Sequence, residues 1–222
     1  HELYSKIDFL ILSECGTDLW LNPAGTEYAS QVFYYDGLGV ERSEPQKTWQ
    51  QAYSVIATCN SVIKNASKVS GLDDETKSVL CAEAKTIRAF MHLTLATYFG
   101  PITLVETEVG TVNKTPTRSS LAEVYASIIA DLTDAAGSLK DTPYEGNYGR
   151  VCKKTALGLL ARAYAQGAGE GLTEDGVSYW KRALEVVQSL IPNPESYSGN
   201  YGIKLYNDVA DLWAQDNNRN NA

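Results

Sequence analysis

Few side chains in this 222-residue chain are placed to make or break bonds. The one internal histidine, His92, sits in Phe90-Met91-His92-Leu93, and no H-x-x-x-H or H-E-x-x-H spacing gives it a metal-binding partner. It is expected to be a hydrogen-bonded helix histidine. No G-x-S-x-G elbow occurs, and no motif nominates a Ser-His-Asp set. Gly167-Ala168-Gly169-Glu170-Gly171 is glycine-rich, but it follows a helical pattern and lacks the lysine of a phosphate loop, so it reads as a bend. Carboxylates cluster at Asp73-Asp74-Glu75, Asp131 and Asp134, and Asp208 and Asp211. None has the D-x-D-x-D-G form of a calcium loop; the first reads as a helix cap and the others as solvated faces. No catalytic residue, metal site or cofactor is expected.

Aromatic residues carry a different chemistry. Trp20, Tyr28, Phe33, Tyr34 and Tyr35 are interleaved with Asp18, Asn22 and Asp36. Flat rings suit the apolar C–H face of a sugar, and short polar side chains suit its hydroxyls. Trp20, Tyr28, Tyr34, Tyr35 and Asp36 are therefore the candidate glycan-binding residues. The same rings would also fill a core beneath a long loop, and composition leaves both readings open. One internal ion pair is expected as well. Arg88 lies among Ala82, Ala84, Ile87, Ala89 and Phe90, and its nominated partner is Asp131. A planar guanidinium can hold that carboxylate through two hydrogen bonds, and the pairing is structural.

The elements that must position these groups are helical. Residues 2–12 form a short amphipathic pattern, and Gly16 to Pro45 has no sustained period, as long binding loops often do. Trp49, Tyr53, Ile56, Asn60 and Ile63 mark a helix to about Lys68. Leu80, Ala84, Ile87, Met91, Leu95 and Tyr98 mark the next, capped by Asp73 or Asp74 and stopped at Gly100-Pro101. An extended stretch, Ile102 to Glu106, follows it. Ser120-Leu121-Ala122-Glu123 is a capping-box sequence opening a third helix. Further helices are predicted over Val151–Gln166 and Val177–Leu190, with a short one near Tyr206 to Trp213. The fold class is mainly α, with tetratricopeptide-like antiparallel helix hairpins and long irregular loops. Three regions are expected: 1–48 as the ligand segment, 49–194 as the helical-repeat core and 195–222 as an irregular tail.

Composition limits the partners. Hydrophobic residues make up 44% and charged residues 21%, ordinary for a globular chain. The net charge of −8 repels phosphate backbones, which argues against nucleic acid. Cys15, Cys59, Cys81 and Cys152 show no metal-finger spacing and read as buried thiols. The longest uncharged run, Ala89 to Val105, is broken by Gly100-Pro101 and reads as a buried helix and turn rather than a membrane span.

Four motifs in order resemble the SusD/RagB family. Trp49 to Tyr53 with Ile56 and Asn60 is similar to its W-x-x-x-Y-x-x-I-x-x-x-N element. Ala82-Glu83-Ala84 with Arg88-Ala89, running to Tyr98-Phe99-Gly100-Pro101, is similar to its signature helix. Glu123-Val124-Tyr125 with Ile128 and Asp131-Leu132, and Gly149-Arg150 with Ala156, Leu160-Ala161 and Tyr164, resemble two more. Cys152-Lys153 departs from the usual Thr-Lys pairing. The resemblance implies a non-enzymatic, nutrient-capturing lipoprotein on the extracellular face of the outer membrane, of the starch-utilisation kind. It would bind an oligosaccharide or polysaccharide, or another nutrient, and deliver it to a SusC-like TonB-dependent transporter. The resemblance also implies a lipid anchor, absent from this chain, and a second half beginning near its tail. A tetratricopeptide-like protein-interaction scaffold is the alternative.

Overall fold

A computed structural model describes residues 15–18, 35, 43–111 and 115–213. The short helix expected over 2–12 lies outside them. The chain divides into two compact units, His1–Val55 and Ile56–Ala222, and α1, Ser43–Asn65, runs across the division. This helix starts six residues before the apolar stripe does. Its first turn, Ser43-Glu44-Pro45, is polar and so has no periodic signature, and proline is tolerated there because first-turn amides have no intrahelical partner. Trp49 and Tyr53, one turn apart, meet in a tilted pair with ring centroids 4.9 Å apart.

The second unit is a row of helices. After a single 3₁₀ turn at Ala66–Lys68 come α2, Asp74–Phe99, α3, Leu121–Ser138, α4, Lys153–Gly169, and α5, Tyr179–Leu190. Each of α2 to α5 packs chiefly on its neighbour in sequence. Lys85 meets Asp134 and Arg88 meets Asp131, so α2 and α3 are antiparallel. Among the described residues, the strand content is a two-residue antiparallel pair, β1 Thr173–Glu174 and β2 Val177–Ser178, and three isolated bridge residues near the tail. Its second strand, Val177–Ser178, occupies the first two residues of the predicted fifth helix, which begins instead at Tyr179. The tail helix, α6, is four residues long, Val209–Leu212. Among the described residues, no helix is long and apolar enough to cross a membrane.

Caps fix where the helices begin. Asp73 accepts from the Thr76 amide at 2.6 Å, and Ser120 and Glu123 form the reciprocal capping box. Gly100, at φ 66°, ends α2 by donating to the Ala96 carbonyl, and Pro101 forbids continuation. Val79, Ala82, Ala135, Ala136, Leu139 and Ala156 make an alanine-rich core cluster from three helices. Ile128, Leu132 and Leu95 are fully buried, worth about 1.5–3 kcal/mol apiece.

Two sequence expectations change here. Ile87, placed on the buried face of α2, is exposed, while Thr86 and Arg88 beside it are buried. The buried face of α2 turns toward a polar cluster that apolar periodicity does not register. Gly167 and Gly169, read as a bend, lie inside α4. A side chain on Gly167 would start 2.8 Å from the Tyr179 ring and 3.2 Å from that of Tyr125, so this glycine permits close packing. Gly171, at φ 75°, makes the turn instead.

Candidate functional site

Of the nominated aromatic residues, Trp20, Tyr28, Tyr34 and Asp36 lie outside the described residues. Tyr35 is 63% exposed. Its φ of 56° is uncommon for a bulky residue, and its hydroxyl donates to the Gly16 carbonyl at 3.5 Å, the outer limit of a hydrogen bond.

The structure brings Arg88 and Asp131 together. Arg88 Nε donates to Asp131 Oδ2 at 2.7 Å and Nη2 to Oδ1 at 2.6 Å, a bidentate fork from α2 to α3. Nη1 donates to Asn60 Oδ1 and to the Glu106 carbonyl, both at 2.6 Å. Asn60 in turn donates to the carbonyls of Val105 at 2.9 Å and Thr107 at 3.1 Å. The stretch expected to be extended, Ile102 to Glu106, is thus tied by its carbonyls rather than by a sheet. Burial opposes the charge on Arg88, but the Asp131 carboxylate outweighs it and holds the guanidinium above its ordinary pKa. With its nitrogens committed to three partners, Arg88 has little left to offer a ligand. The arrangement locks α2, α3 and a loop together.

A second pair was not foreseen. Arg150 Nε donates to Glu83 Oε1 at 2.8 Å, Nη2 reaches Oε2, and the guanidinium lies 4.7 Å from the Tyr144 ring centroid. The available signal was Glu83 itself, a carboxylate between two alanines in an otherwise apolar helix segment. Asn60, Glu83, Arg88, Asp131 and Arg150 each come from one of the four motifs quoted above, and they meet in these two clusters.

His92 departs from expectation. It is fully buried, yet neither ring nitrogen has a hydrogen-bond partner among the described residues. Burial, with Arg88 nearby, lowers its pKa to about 4, so it is neutral and sealed from any substrate. Cys59 and Cys152 are buried and Cys15 and Cys81 half-buried, and none of the four forms a disulfide. Burial pushes the Cys59 thiol up to about 11, far from a reactive thiolate. Among the described residues no group of three or more His, Cys, Asp or Glu side chains could hold a metal.

Residues 7–165 match the SusD-like family described as starch-binding and associating with the outer membrane. The match covers well over half of the chain, and the chain belongs to that family. SusD-like protein P2 of Formosa agariphila is 37% identical over 123 residues, which are 52% of this chain and 23% of that protein. A laminarin binding SusD-like protein of known structure superimposes with a TM-score of 0.69 at 24% identity, covering 80% of this chain and 36% of that one. A crystal structure with xylogluco-oligosaccharide superimposes with a TM-score of 0.71 at 23% identity, covering 96% and 42%. Identities this low establish a shared fold, and the fold is the mainly α architecture expected. The chain spans less than half the length of each of these three proteins.

Proposed function

We propose, taking that family membership as the premise, that the chain is a glycan-binding module at the extracellular face of an outer membrane. It captures an oligosaccharide or polysaccharide by equilibrium binding and passes it to a SusC-like TonB-dependent transporter, with no bond made or broken. The observation that carries this reading is the family match over residues 7–165. It takes in the aromatic segment and the helices as far as most of α4, and the family is described as starch-binding. Relatives whose names or structures involve laminarin and xylogluco-oligosaccharide support a glycan rather than another nutrient.

In this reading Trp20, Tyr28, Tyr34, Tyr35 and Asp36 supply stacking and hydrogen bonds to the glycan. Titration calorimetry against starch, laminarin and xyloglucan oligosaccharides tests it. Trp20→Ala and Tyr35→Ala are expected to weaken binding roughly tenfold or more while the helical circular dichroism stays intact. Unchanged affinity in both removes this segment from the site.

The scaffold alternative has one observation in its favour. Trp180, Leu184 and Val187, spaced four and three residues apart, are all exposed on one face of α5. A scaffold predicts peptide affinity and indifference to sugars.

A further inference from the structure

A small cleft opens where α2 ends, α3 begins and α4 ends. Its volume is ≈ 290 Å³, at the lower limit for small-molecule sites. Ala96, Thr97, Leu121, Tyr125, Gln166 and Glu170 line it beside the Gly100 turn. All belong to the second unit, and none belongs to the aromatic segment.

Three properties of the lining define a guest. Its single carboxylate is Glu170, and no lysine or arginine lines the cleft, so phosphates, sulfates and acidic sugars are disfavoured. One carboxylate alone does not hold a metal ion. The Gln166 amide is poorly satisfied: Nε2 reaches Thr97 Oγ1 only at 3.5 Å, and the buried Oε1 has no partner. Oε1 is closed to solvent, so the loosely held Nε2 is the donor left for a guest's acceptor. Tyr125 is held in place by the Gly167 backbone packed against its ring. Burial, with Glu170 nearby, raises its pKa, so the hydroxyl stays neutral.

We propose that this cleft is a second binding site, for one neutral sugar ring or a polyol of similar size, independent of the aromatic segment. Hydroxyl groups of such a guest donate to Glu170 and accept from the Gln166 amide and the Tyr125 hydroxyl. Its C–H face lies against Ala96 and Leu121. The proposal goes beyond the function argued above, because it needs neither a long glycan nor the residues that would grip one.

Amide NMR of the isotopically labelled chain tests it, with glucose as the probe and glucuronate as the charged control. Saturable glucose-dependent shifts are expected at Thr97, Gly100, Gln166 and Glu170, and they should persist in Trp20→Ala and Tyr35→Ala. Gln166→Leu is expected to weaken glucose binding about tenfold, and glucuronate to bind more weakly than glucose. Tyr125→Phe, which keeps the packed ring, reports the same loss should Gln166→Leu fail to fold. No saturable shift at the cleft overturns the proposal. So does equal affinity for glucuronate, or unchanged affinity in the well-folded variants. Loss of oligosaccharide binding at the aromatic segment would leave all of these readouts unmoved, so failure of either reading is separately visible.

Discussion

Arg88 lies against Asp131 with side chains 7% and 10% exposed, whereas Arg150 lies against Glu83 with 28% and 11%. Both are bidentate forks between a guanidinium and a carboxylate, and both join elements distant in sequence. They differ in what surrounds them. Removing Arg88 strands a buried carboxylate, the Asn60 amide oxygen and the Glu106 carbonyl; the Glu83 carboxylate is as buried as Asp131, but Arg150 is itself partly exposed, so removing it opens Glu83 to water. The same chemistry therefore has unequal weight in the closed interior of the frame and at its edge, because desolvation sets the cost of a broken pair.

The largest expected effect breaks the interior pair. Arg88→Met should lower unfolding free energy by about 3–5 kcal/mol in urea titration, and a loss no greater than that of Arg150→Ala would erase the contrast. Next is the buried histidine. Its folded pKa of about 4 lies below the ordinary 6.5, so the folded state resists protonation. The associated stability is fully present above pH 6.5 and is lost as pH falls from 6.5 toward 4, by roughly 3 kcal/mol. His92→Leu should lose less stability over that window than the parent chain, as thermal melts at stepped pH would record.

Two glycines of α4 sharpen the contrast further. Gly167→Ala should cost about 1–3 kcal/mol, because the added carbon meets two packed tyrosine rings. Gly158→Ala, with nothing within 4 Å, should stabilise by roughly 0.5–1 kcal/mol through helix propensity. Opposite signs within one helix, read by chemical denaturation, are the expected result. Smallest is the rim pair itself: Arg150→Ala should cost roughly 1 kcal/mol.

The helices were legible because apolar spacing and caps are local signals. Asp73, the Ser120–Glu123 box and the Gly100-Pro101 stop mark their boundaries in one dimension. The start of α1 was not legible, since a polar first turn containing Pro45 carries no stripe. Gly167 misled for a related reason: glycine that permits a turn and glycine that permits close packing are the same letter, and only the Tyr125 and Tyr179 rings distinguish them. Arg88 could be paired from its apolar neighbours, but Glu83 with Arg150 required knowing that residues 67 positions apart in sequence meet. The cleft at the helix ends was invisible to the same analysis, because Thr97, Tyr125, Gln166 and Glu170 share no motif or period. The aromatic segment is legible only as composition, and Tyr35 is its one nominated residue with described geometry.

Capture without chemistry is the claim on which the rest depends. Incubating the chain with a neutral oligosaccharide, then recovering the sugar for mass spectrometry alongside a calorimetric titration, tests it most directly. The account predicts saturable heat and a glycan of unchanged mass and reducing-end content. Shortened products, or no heat with any starch, laminarin or xyloglucan oligosaccharide, would contradict it.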